Sequence, residues 1–210
     1  FAAAQAAQPA VIDTLQKLVL IESGSANIAG IARVADFAQA RLDALGAKTE
    51  RIKTSNSERV MVKGVLKGKG RLKAMLIAHM DTVYPDGILA TQPYKLDGNR
   101  LYGPGIADDK GGIAVILHSL AVLQSQGWND FDTIIVLFNP DEEIGSGGSG
   151  DLIQSLAAGH DVVLSYEPTA AKSMAKNEGV LLAAAGTAMA TMEVKGKASH
   201  AGAAPDEGRN

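Results

Sequence analysis

One continuous apolar run, TIIVLF at residues 133–138, constrains the fold more than any other feature of this sequence. Its β-branched residues favour a strand, and the lack of polar alternation is typical of a strand buried on both faces. A second run of this kind, DVVLSY, follows at residues 161–166. A helical pattern at residues 111–125 precedes the first run, and a short helix is expected near residues 151–158. This alternation of strands and helices predicts a layered α/β domain.

The rest of the first 80 residues predicts two helices and a hairpin. Apolar residues recur at helical spacing over residues 9–19 and 31–45, and Gly46 is a natural C-terminal stop for the second pattern. Residues 1–8, FAAAQAAQ, are expected to be a frayed terminus, so the first helix would begin at Pro9. Two short apolar runs, residues 59–66 and 72–78, flank the turn sequence KGKGR and predict a β-hairpin.

Composition excludes several classes of protein. The chain has 210 residues, of which 46% are hydrophobic, and this is too apolar for a disordered chain. Its formal charge of −3 gives no basic excess, so we expect no nucleic-acid partner. No apolar run reaches the roughly 18–20 residues of a membrane helix, so we expect no membrane partner. The chain has no cysteine, and any metal must therefore be held by His, Asp or Glu.

Residues that bear chemistry cluster at the ends of the predicted elements. The four clusters are His79 with Asp81, Asp108-Asp109, Asp141-Glu142-Glu143, and Glu167. Three of them directly follow an apolar strand, and the Asp108 cluster precedes a helix. In open α/β sheets, ligands bind outside the carboxyl ends of the strands, so these side chains are expected to converge in one crevice.

One imidazole with several carboxylates suits a hydrolytic zinc site. In an extended segment Asp81 lies on the same side as His79, where its carboxylate can accept the second ring N–H. Two metals need a bridging carboxylate, and Asp108 is the candidate. Of the adjacent Glu142 and Glu143, one can bind metal while the other accepts a proton from water. Each cluster alone favours helix capping instead, but four together favour a functional site.

The remaining histidines have simpler interpretations. His118 lies inside a predicted helix beside its apolar face, where a structural or solvated histidine is expected. His160 precedes a strand and is interpreted as a turn residue. His200, in KASHAGAAP, stands among small residues, and composition leaves a loop residue and a site residue equally open.

A glycine pattern suggests a nucleotide-binding alternative. Gly145, Gly147 and Gly150 spell G-x-G-x-x-G after a strand, and Glu167 follows 17 residues later. The glycines begin several residues beyond the strand, however, and Asp141, Glu142 and Glu143 would repel a pyrophosphate. A flexible turn is the preferred interpretation.

The sequence resembles a known family of enzymes. The strings AHMDTVY, LYGPGIADDKGGIAVILH, VLFNPDEEIGS, VLSYEPT and GKASHAGAAP are similar to motifs of the co-catalytic dizinc aminoacylase/carboxypeptidase family. Within it, they most resemble bacterial glutamate carboxypeptidases of the glucarpidase type. The resemblance extends from about Pro9 to the last residue.

The resemblance implies a role for each site residue. His79 and Glu167 would bind one zinc ion, Glu143 the other, and Asp108 both. Glu142 would be the general base, with Asp81 supporting His79. His200 would reach the active site of a neighbouring subunit in a homodimer and steady the reacting carbonyl.

The resemblance also implies an architecture. We expect a zinc exopeptidase-like fold with a mixed, mostly parallel central sheet and helices on both faces, in a catalytic domain at residues 1–183. Residues 184–210 would begin a smaller α+β lid or dimerisation domain. The Asp108–Asp109 peptide is expected to be cis.

Two features of the family are missing from this sequence. Family members have another zinc-binding histidine, and basic residues for a substrate carboxylate, well beyond position 210. The sequence therefore resembles the first half of such a protein, and these 210 residues alone are expected to be inactive, with one weak or vacant metal position. The start FAAAQAAQ is compatible with the stub of a cleaved export signal, which favours a periplasmic or secreted protein. It has no basic segment or long apolar core, however, and a cytoplasmic protein stays an alternative.

The expected activity is hydrolysis of an amide bond by two zinc ions, with release of a C-terminal glutamate from folate-like, N-acyl or peptidyl substrates. Three alternatives stay open: an N-acyl-amino-acid deacylase or dipeptidase of the same family, a nucleotide-binding α/β protein, and a non-catalytic relative that serves as an interaction module.

Overall fold

A computed structural model describes residues 1–168, 182, 190–193 and 195–209. The chain divides into two compact units, Phe1–Pro168 and Thr169–Asn210, which are described separately. The predicted domain boundary at residues 183–184 falls outside the described residues and stays a prediction.

The first unit contains four α-helices. They are α1 (Ala2–Val19), α2 (Ile28–Ala44), α3 (Lys110–Ser125) and α4 (Gly150–Ala157). The prediction of a frayed segment before Pro9 is wrong, because α1 begins seven residues earlier and includes Pro9. The run AAAQAA sustains the helix on the N-terminal side of Pro9, since alanine has the highest helix propensity.

The ends of α2 and the start of α3 follow local capping chemistry. Asn27 caps α2 by accepting the backbone N–H of Gly30 at 2.7 Å. Gly46 has a φ of +75° just beyond the helix, which confirms the predicted stop. Asp109 caps α3 by accepting the backbone N–H of Gly112 at 3.0 Å.

Five strands form the central sheet, in the order β1-β2-β6-β3-β7. The strands of the unit are β1 (Lys48–Lys53), β2 (Val60–Lys67), β3 (Lys73–His79), β4 (Lys95–Asp97), β5 (Arg100–Tyr102), β6 (Thr133–Asn139) and β7 (Val162–Ser165). β6, β3 and β7 are parallel neighbours, whereas β2 is antiparallel to both β1 and β6. Only β2 therefore opposes the direction of the other four, and the predicted mixed, mostly parallel sheet is confirmed. β4 and β5 form a separate two-stranded ribbon.

The predicted hairpin of residues 59–66 and 72–78 is wrong. β6 lies between β2 and β3, so that Phe138 pairs with Val62 on one side and Ala78 on the other. All seven residues of β6 are buried, and a strand without a polar face is stable only at the centre of the sheet. This burial outweighs the short connection that favoured a hairpin.

The alternating side chains of β6 face two separate cores. Ile134, Val136 and Phe138 belong to a large core with buried residues of α1, α2 and α3. Ile135 and Leu137 belong to a smaller core against which α4 packs. Helices therefore cover both faces of the sheet, as predicted.

β7 differs from the predicted second buried strand. It is the last strand of the described sheet, and Val163 and Leu164 are each 41% exposed. Its sequence is as apolar as that of β6, but within residues 1–168 only β3 flanks it.

In the second unit, Lys197 and Arg209 form an isolated antiparallel bridge with two backbone hydrogen bonds of 3.0 Å. Pro205–Glu207 forms one 3₁₀ turn. The lid strand expected from residue 184 falls mainly on positions outside the described residues. In the described parts of both units, no helix has the length and apolar character needed to cross a bilayer.

Candidate metal centre

The strand order brings the predicted site residues to one edge of the sheet. His79 is the last residue of β3 and pairs with Asn139 at the end of β6. Tyr166, just after β7, donates its backbone N–H to Ile77 of β3 at 3.0 Å, which places Glu167 beside His79. Parallel neighbours end at the same edge, so the expected convergence is observed.

The imidazole of His79 is the centre of a cluster of carboxylates. Its Nε2 lies 2.9 Å from Asp108 Oδ1, 3.5 Å from Glu167 Oε1 and 4.0 Å from Glu142 Oε2. The His79 side chain is only 1% exposed, whereas those of Asp108, Glu142 and Glu167 are 51%, 44% and 45% exposed. The imidazole thus forms the floor of the site, and the carboxylates form a rim open to solvent.

Two groups of side chains have the geometry to hold a metal ion. One consists of His79, Asp108 and Glu143, and the other of His79, Asp109 and Glu167; in each, one ligand atom per residue lies within 4.8 Å of the others. The structure therefore brings together the four predicted ligands, His79, Asp108, Glu143 and Glu167. Their roles as ligands stay predictions.

The charges at the site favour a cation. Burial opposes protonation of His79, but Asp81, Asp109 and Glu167 outweigh it and raise its pKa to about 10. Burial raises the pKa of Glu143 and Glu167, and neighbouring carboxylates add to the effect. Within residues 1–168, these carboxylates form no ion pair with a lysine or arginine. A nitrogen and carboxylate donor set with this negative charge fits a divalent ion such as Zn²⁺.

Asp81 supports His79 differently from the prediction. Its backbone carbonyl lies 3.0 Å from His79 Nδ1, whereas its carboxylate Oδ1 lies 3.4 Å from the same nitrogen. The predicted acceptor was the carboxylate, but the carbonyl is the closer one. Either contact leaves Nε2 directed toward the carboxylate cluster.

The Asp81 carboxylate instead anchors the acidic turn. It accepts the backbone N–H groups of Glu142 at 3.1 Å and Glu143 at 3.2 Å, and the hydroxyl of Ser25 at 2.8 Å. Burial opposes its charge, but His79 and these hydrogen bonds outweigh burial and hold the pKa of Asp81 below its usual value. Asp81 therefore fastens Glu142 and Glu143 to the strand that carries His79.

The adjacent residues Asp108 and Asp109 make different contacts. The peptide bond between them is cis, as the resemblance implied. Asp108 faces His79, whereas the carboxylate of Asp109 accepts the N–H groups of Gly112 at 3.0 Å and His79 at 3.1 Å. For Asp109, the capping interpretation therefore describes the observed contacts.

The glycine-rich segment after β6 folds around Asp141, a buried residue of the third acidic cluster for which the sequence predicted no structural role. The backbone N–H of Ser146 donates to the Asp141 carbonyl at 2.7 Å, and that of Gly148 to its carboxylate at 2.8 Å. These amides are engaged by an acidic side chain and its backbone, so they do not form a pyrophosphate cradle. The preferred interpretation of this segment as a turn is consistent with these contacts.

The other histidines lie apart from this cluster or in the second unit. Buried His118 of α3 has its Nε2 2.8 Å from the hydroxyl of Thr14 in α1, so its structural interpretation is confirmed. His160 lies in the loop after α4, with Nδ1 2.7 Å from Leu156 O. His200 belongs to the second unit, where its Nδ1 accepts the N–H groups of Gly202 and Ala203 at 3.2 and 3.0 Å. Its contribution to a neighbouring active site stays a prediction.

Comparison with known proteins accounts for this arrangement. Residues 75–201 match the family described as Peptidase family M20/M25/M40. The chain belongs to this family. This M20 chain is 49% identical over its whole length to carboxypeptidase G2 from Pseudomonas sp. (strain RS-16) and covers 50% of that protein. It is 33% identical over 95% of its length to acetylornithine deacetylase from Myxococcus xanthus, again covering 50%. It therefore spans about half the length of these relatives.

Solved structures agree on the fold of the M20 chain. Human carnosine dipeptidase 1 matches with a TM-score of 0.64 at 19% identity, over 77% of this chain and 39% of that one. An M20 family metallo-carboxypeptidase from Sulfolobus solfataricus matches with a TM-score of 0.64 at 22% identity, over 74% of this chain and 37% of that one. The predicted exopeptidase-like fold is confirmed, and M20 membership implies a metal ion, typically zinc.

Proposed function

We propose that the complete natural protein containing this chain is a zinc-dependent hydrolase that cleaves an amide bond and releases a C-terminal glutamate from folate-like, N-acyl or peptidyl substrates. The similarity to carboxypeptidase G2 supports cleavage at a C-terminal residue, and the resemblance of the motifs to glutamate carboxypeptidases supports glutamate as the residue released. The position of Glu142 supports the reaction type.

Glu142 is beside the candidate ligands but outside their groups. Its Oε2 is 4.0 Å from His79 Nε2, yet among the described residues neither three-ligand group includes it. Its neighbour Glu143 belongs to one of the groups. A half-exposed carboxylate next to a metal centre, and not used as a ligand, is free to accept a proton.

The described residues would provide part of a two-zinc centre. His79 and Glu167 would hold one ion, Glu143 the other, and Asp108 would contact both. Zinc bound there would acidify a water molecule and polarise the scissile carbonyl.

The protein's own groups then move the proton. Glu142 removes it from the attacking water and transfers it to the nitrogen of the leaving amine, as a general base and then a general acid. Asp81 keeps Glu142 in reach by holding its backbone N–H at 3.1 Å. We include in the proposal that residues 184–210 begin a lid domain through which the protein forms a homodimer, and that His200 steadies the carbonyl in the neighbouring subunit.

A substrate panel on the complete natural chain tests the activity. N-acyl glutamates, dipeptides and N-acetyl amino acids would be supplied to the zinc-loaded protein, with and without a chelator. We expect release of glutamate that stops with the chelator and returns with zinc. If the zinc-loaded protein hydrolyses none of these amides, the result contradicts the proposal and favours the non-catalytic alternative.

A deacylase is the second candidate function, because the chain is 33% identical to an acetylornithine deacetylase. Preference for N-acetyl amino acids over N-acyl glutamates in the same panel would favour it.

Mixing two inactive variants tests the role of His200 and the dimer together. In Glu142→Gln and His200→Ala homodimers, every site lacks one group. After subunit exchange, a mixed dimer regains one complete site if His200 acts across the interface. We expect up to about one quarter of wild-type activity, since about half of the exchanged dimers are mixed. No recovery from exchanged dimers would mean that His200 acts within its own subunit or not at all.

A further inference from the structure

Ser25, in the loop between α1 and α2, is fixed by its backbone against Thr82, three residues beyond the end of β3. Its N–H donates to the carbonyl of Thr82 at 3.0 Å. Its own carbonyl accepts a hydrogen bond from Nε of Arg59 at 3.1 Å and a second one from the same guanidinium. The adjacent Gly24 forms a parallel bridge with Thr82. The backbone position of Ser25 is thus fixed by the protein itself.

The Ser25 hydroxyl is directed at the support of the metal centre. It donates to Asp81 Oδ2 at 2.8 Å, and the same oxygen accepts the N–H of Glu143 at 3.2 Å. Asp81 is fully buried. A buried carboxylate that loses one of its donors keeps the full cost of desolvation with fewer compensating bonds, so its orientation is less strongly fixed.

We propose that Ser25 is a positioning residue of the metal centre, acting through Asp81 on His79 and on the turn that carries Glu142 and Glu143. This inference rests on the proposed metal-dependent function. Among the hydrogen bonds of residues 1–168, the Ser25 hydroxyl contacts the Asp81 carboxylate at 2.8 Å and, at the longer distance of 3.4 Å, the backbone carbonyl of Thr82. Neither partner is one of the four candidate ligands, and Asp81 is the one that contacts His79 and the acidic turn, so the effect of Ser25 on the metal passes through Asp81.

The chain offers a closely matched control for a Ser25→Ala variant. Ser23 lies two residues earlier in the same loop, and its buried hydroxyl has no hydrogen-bond partner among the described residues. Ser23→Ala therefore removes the same atom from the same loop without breaking a hydrogen bond.

The test measures zinc affinity by competition with a chelator and records the visible absorption spectrum of the Co²⁺-substituted complete protein. We expect Ser25→Ala to weaken zinc binding about tenfold, the lower end of the effect of groups that orient metal ligands, and to alter the Co²⁺ spectrum. We expect Ser23→Ala to match the wild type in both.

A second pair of variants separates the hydrogen bond from loop stability. Ser25→Thr keeps a hydroxyl, whereas Ser25→Val has a similar shape without one. Zinc affinity should be retained in the threonine variant and reduced in the valine variant. Thermal unfolding of each metal-free variant verifies that it is folded, and this pair decides the question if Ser25→Ala does not fold.

A double-mutant cycle tests the path through Asp81. In an Asp81→Asn background, Ser25→Ala should have no further effect on zinc affinity. The inference is overturned if Ser25→Ala and Ser25→Val both keep the zinc affinity of the wild type. It is also overturned if Ser25→Ala has its full effect on zinc affinity in the Asp81→Asn background. If the wild-type protein itself binds no zinc, the proposed function fails instead, so the two failures are distinguishable.

Discussion

The backbone carbonyl of Asp81 lies 3.0 Å from Nδ1 of His79, and the carboxylate of the same residue lies 3.4 Å from that nitrogen. One residue thus presents two acceptors to the imidazole. The carboxylate also receives the N–H groups of Glu142 and Glu143. The distance between the imidazole and the acidic turn therefore depends on Asp81.

Asp81→Asn should weaken zinc binding by about 10–100-fold, the usual effect of losing a group that orients a metal ligand. Asparagine keeps the carbonyl contact to His79. Its uncharged amide has only one oxygen to receive the N–H groups of Glu142 and Glu143, and its NH₂ would oppose one of them. Chelator competition measures the loss. Asp97→Asn is the control, because Asp97 is exposed and pairs with Lys95. Unchanged affinity in the Asp81 variant would refute the supporting role.

Glu142→Gln should lower kcat by about 10²–10⁴-fold while zinc stays bound, since glutamine cannot accept the proton from water. Steady-state kinetics and metal analysis of the complete protein measure both effects. Glu143→Gln is the matched comparison and should lose zinc, because Glu143 belongs to a ligand group. If the Glu142 variant loses zinc and the Glu143 variant retains it, Glu142 is the ligand and Glu143 the general base.

Zinc binding should release a proton from His79. Without metal, the surrounding carboxylates outweigh burial and raise the pKa of His79 to about 10. Zinc requires the neutral imidazole, so zinc affinity should increase with pH below that value, by up to about tenfold per pH unit. Calorimetry in two buffers with different ionisation enthalpies would count the released protons. His160→Gln should leave the count unchanged, and pH-independent zinc affinity would contradict the prediction.

A polypeptide limited to residues 1–210 should bind one zinc ion tightly and a second one weakly. Both ligand groups in the described residues share His79, whose Nδ1 faces Asp81. A single imidazole nitrogen serves one ion, which leaves the other with carboxylates alone. We also expect negligible amide hydrolysis from this polypeptide. Zinc titration measures the stoichiometry, and two tight ions with full activity would show that the ligand assignment is wrong.

His118 should lower the free energy of unfolding of the metal-free protein in mild acid. Burial, reinforced by the charge of Arg41, lowers its pKa below the ordinary value of 6.5, although Asp13 opposes the shift. The unfolded chain therefore binds this proton more readily, so the contribution of His118 to stability is present above pH 6.5 and lost as the pH falls below it. Denaturant unfolding should show a smaller loss between about pH 7 and pH 5 in His118→Gln than in the wild type. Equal losses would refute the assignment.

Local sequence predicted the elements that have a clear apolar pattern. The apolar run of β6 indicated a central strand, and the helical spacing at residues 111–125 indicated α3. β1 was not predicted, because KTERIK is charged and mostly exposed and has no apolar pattern. The wrong hairpin arose because strand pairing between β6 and its two neighbours depends on contacts distant in sequence.

The candidate site was predicted from the types of residue that follow three strands and precede one helix. The convergence of His79, Asp108, Glu143 and Glu167 followed from parallel strands ending at one edge. The roles of Ser25 and of the Asp81 carbonyl could not be predicted from the sequence, because neither a serine in a loop nor a backbone oxygen has a characteristic sequence pattern. The role of Asp109 could not be predicted either, because a helix cap and a metal ligand have the same sequence pattern here. Only its contacts to Gly112 and His79 identify it as a cap.

The central place of β6 has a consequence for biosynthesis. β2 and β3 leave the ribosome well before β6, yet in the finished sheet β6 separates them. Until β6 emerges, the edges by which β2 and β3 pair with it have no native partner, and a hairpin between β2 and β3 would compete with the native sheet. The acidic turn follows β6, so the growing chain cannot bring the candidate metal ligands together until β6 has been inserted.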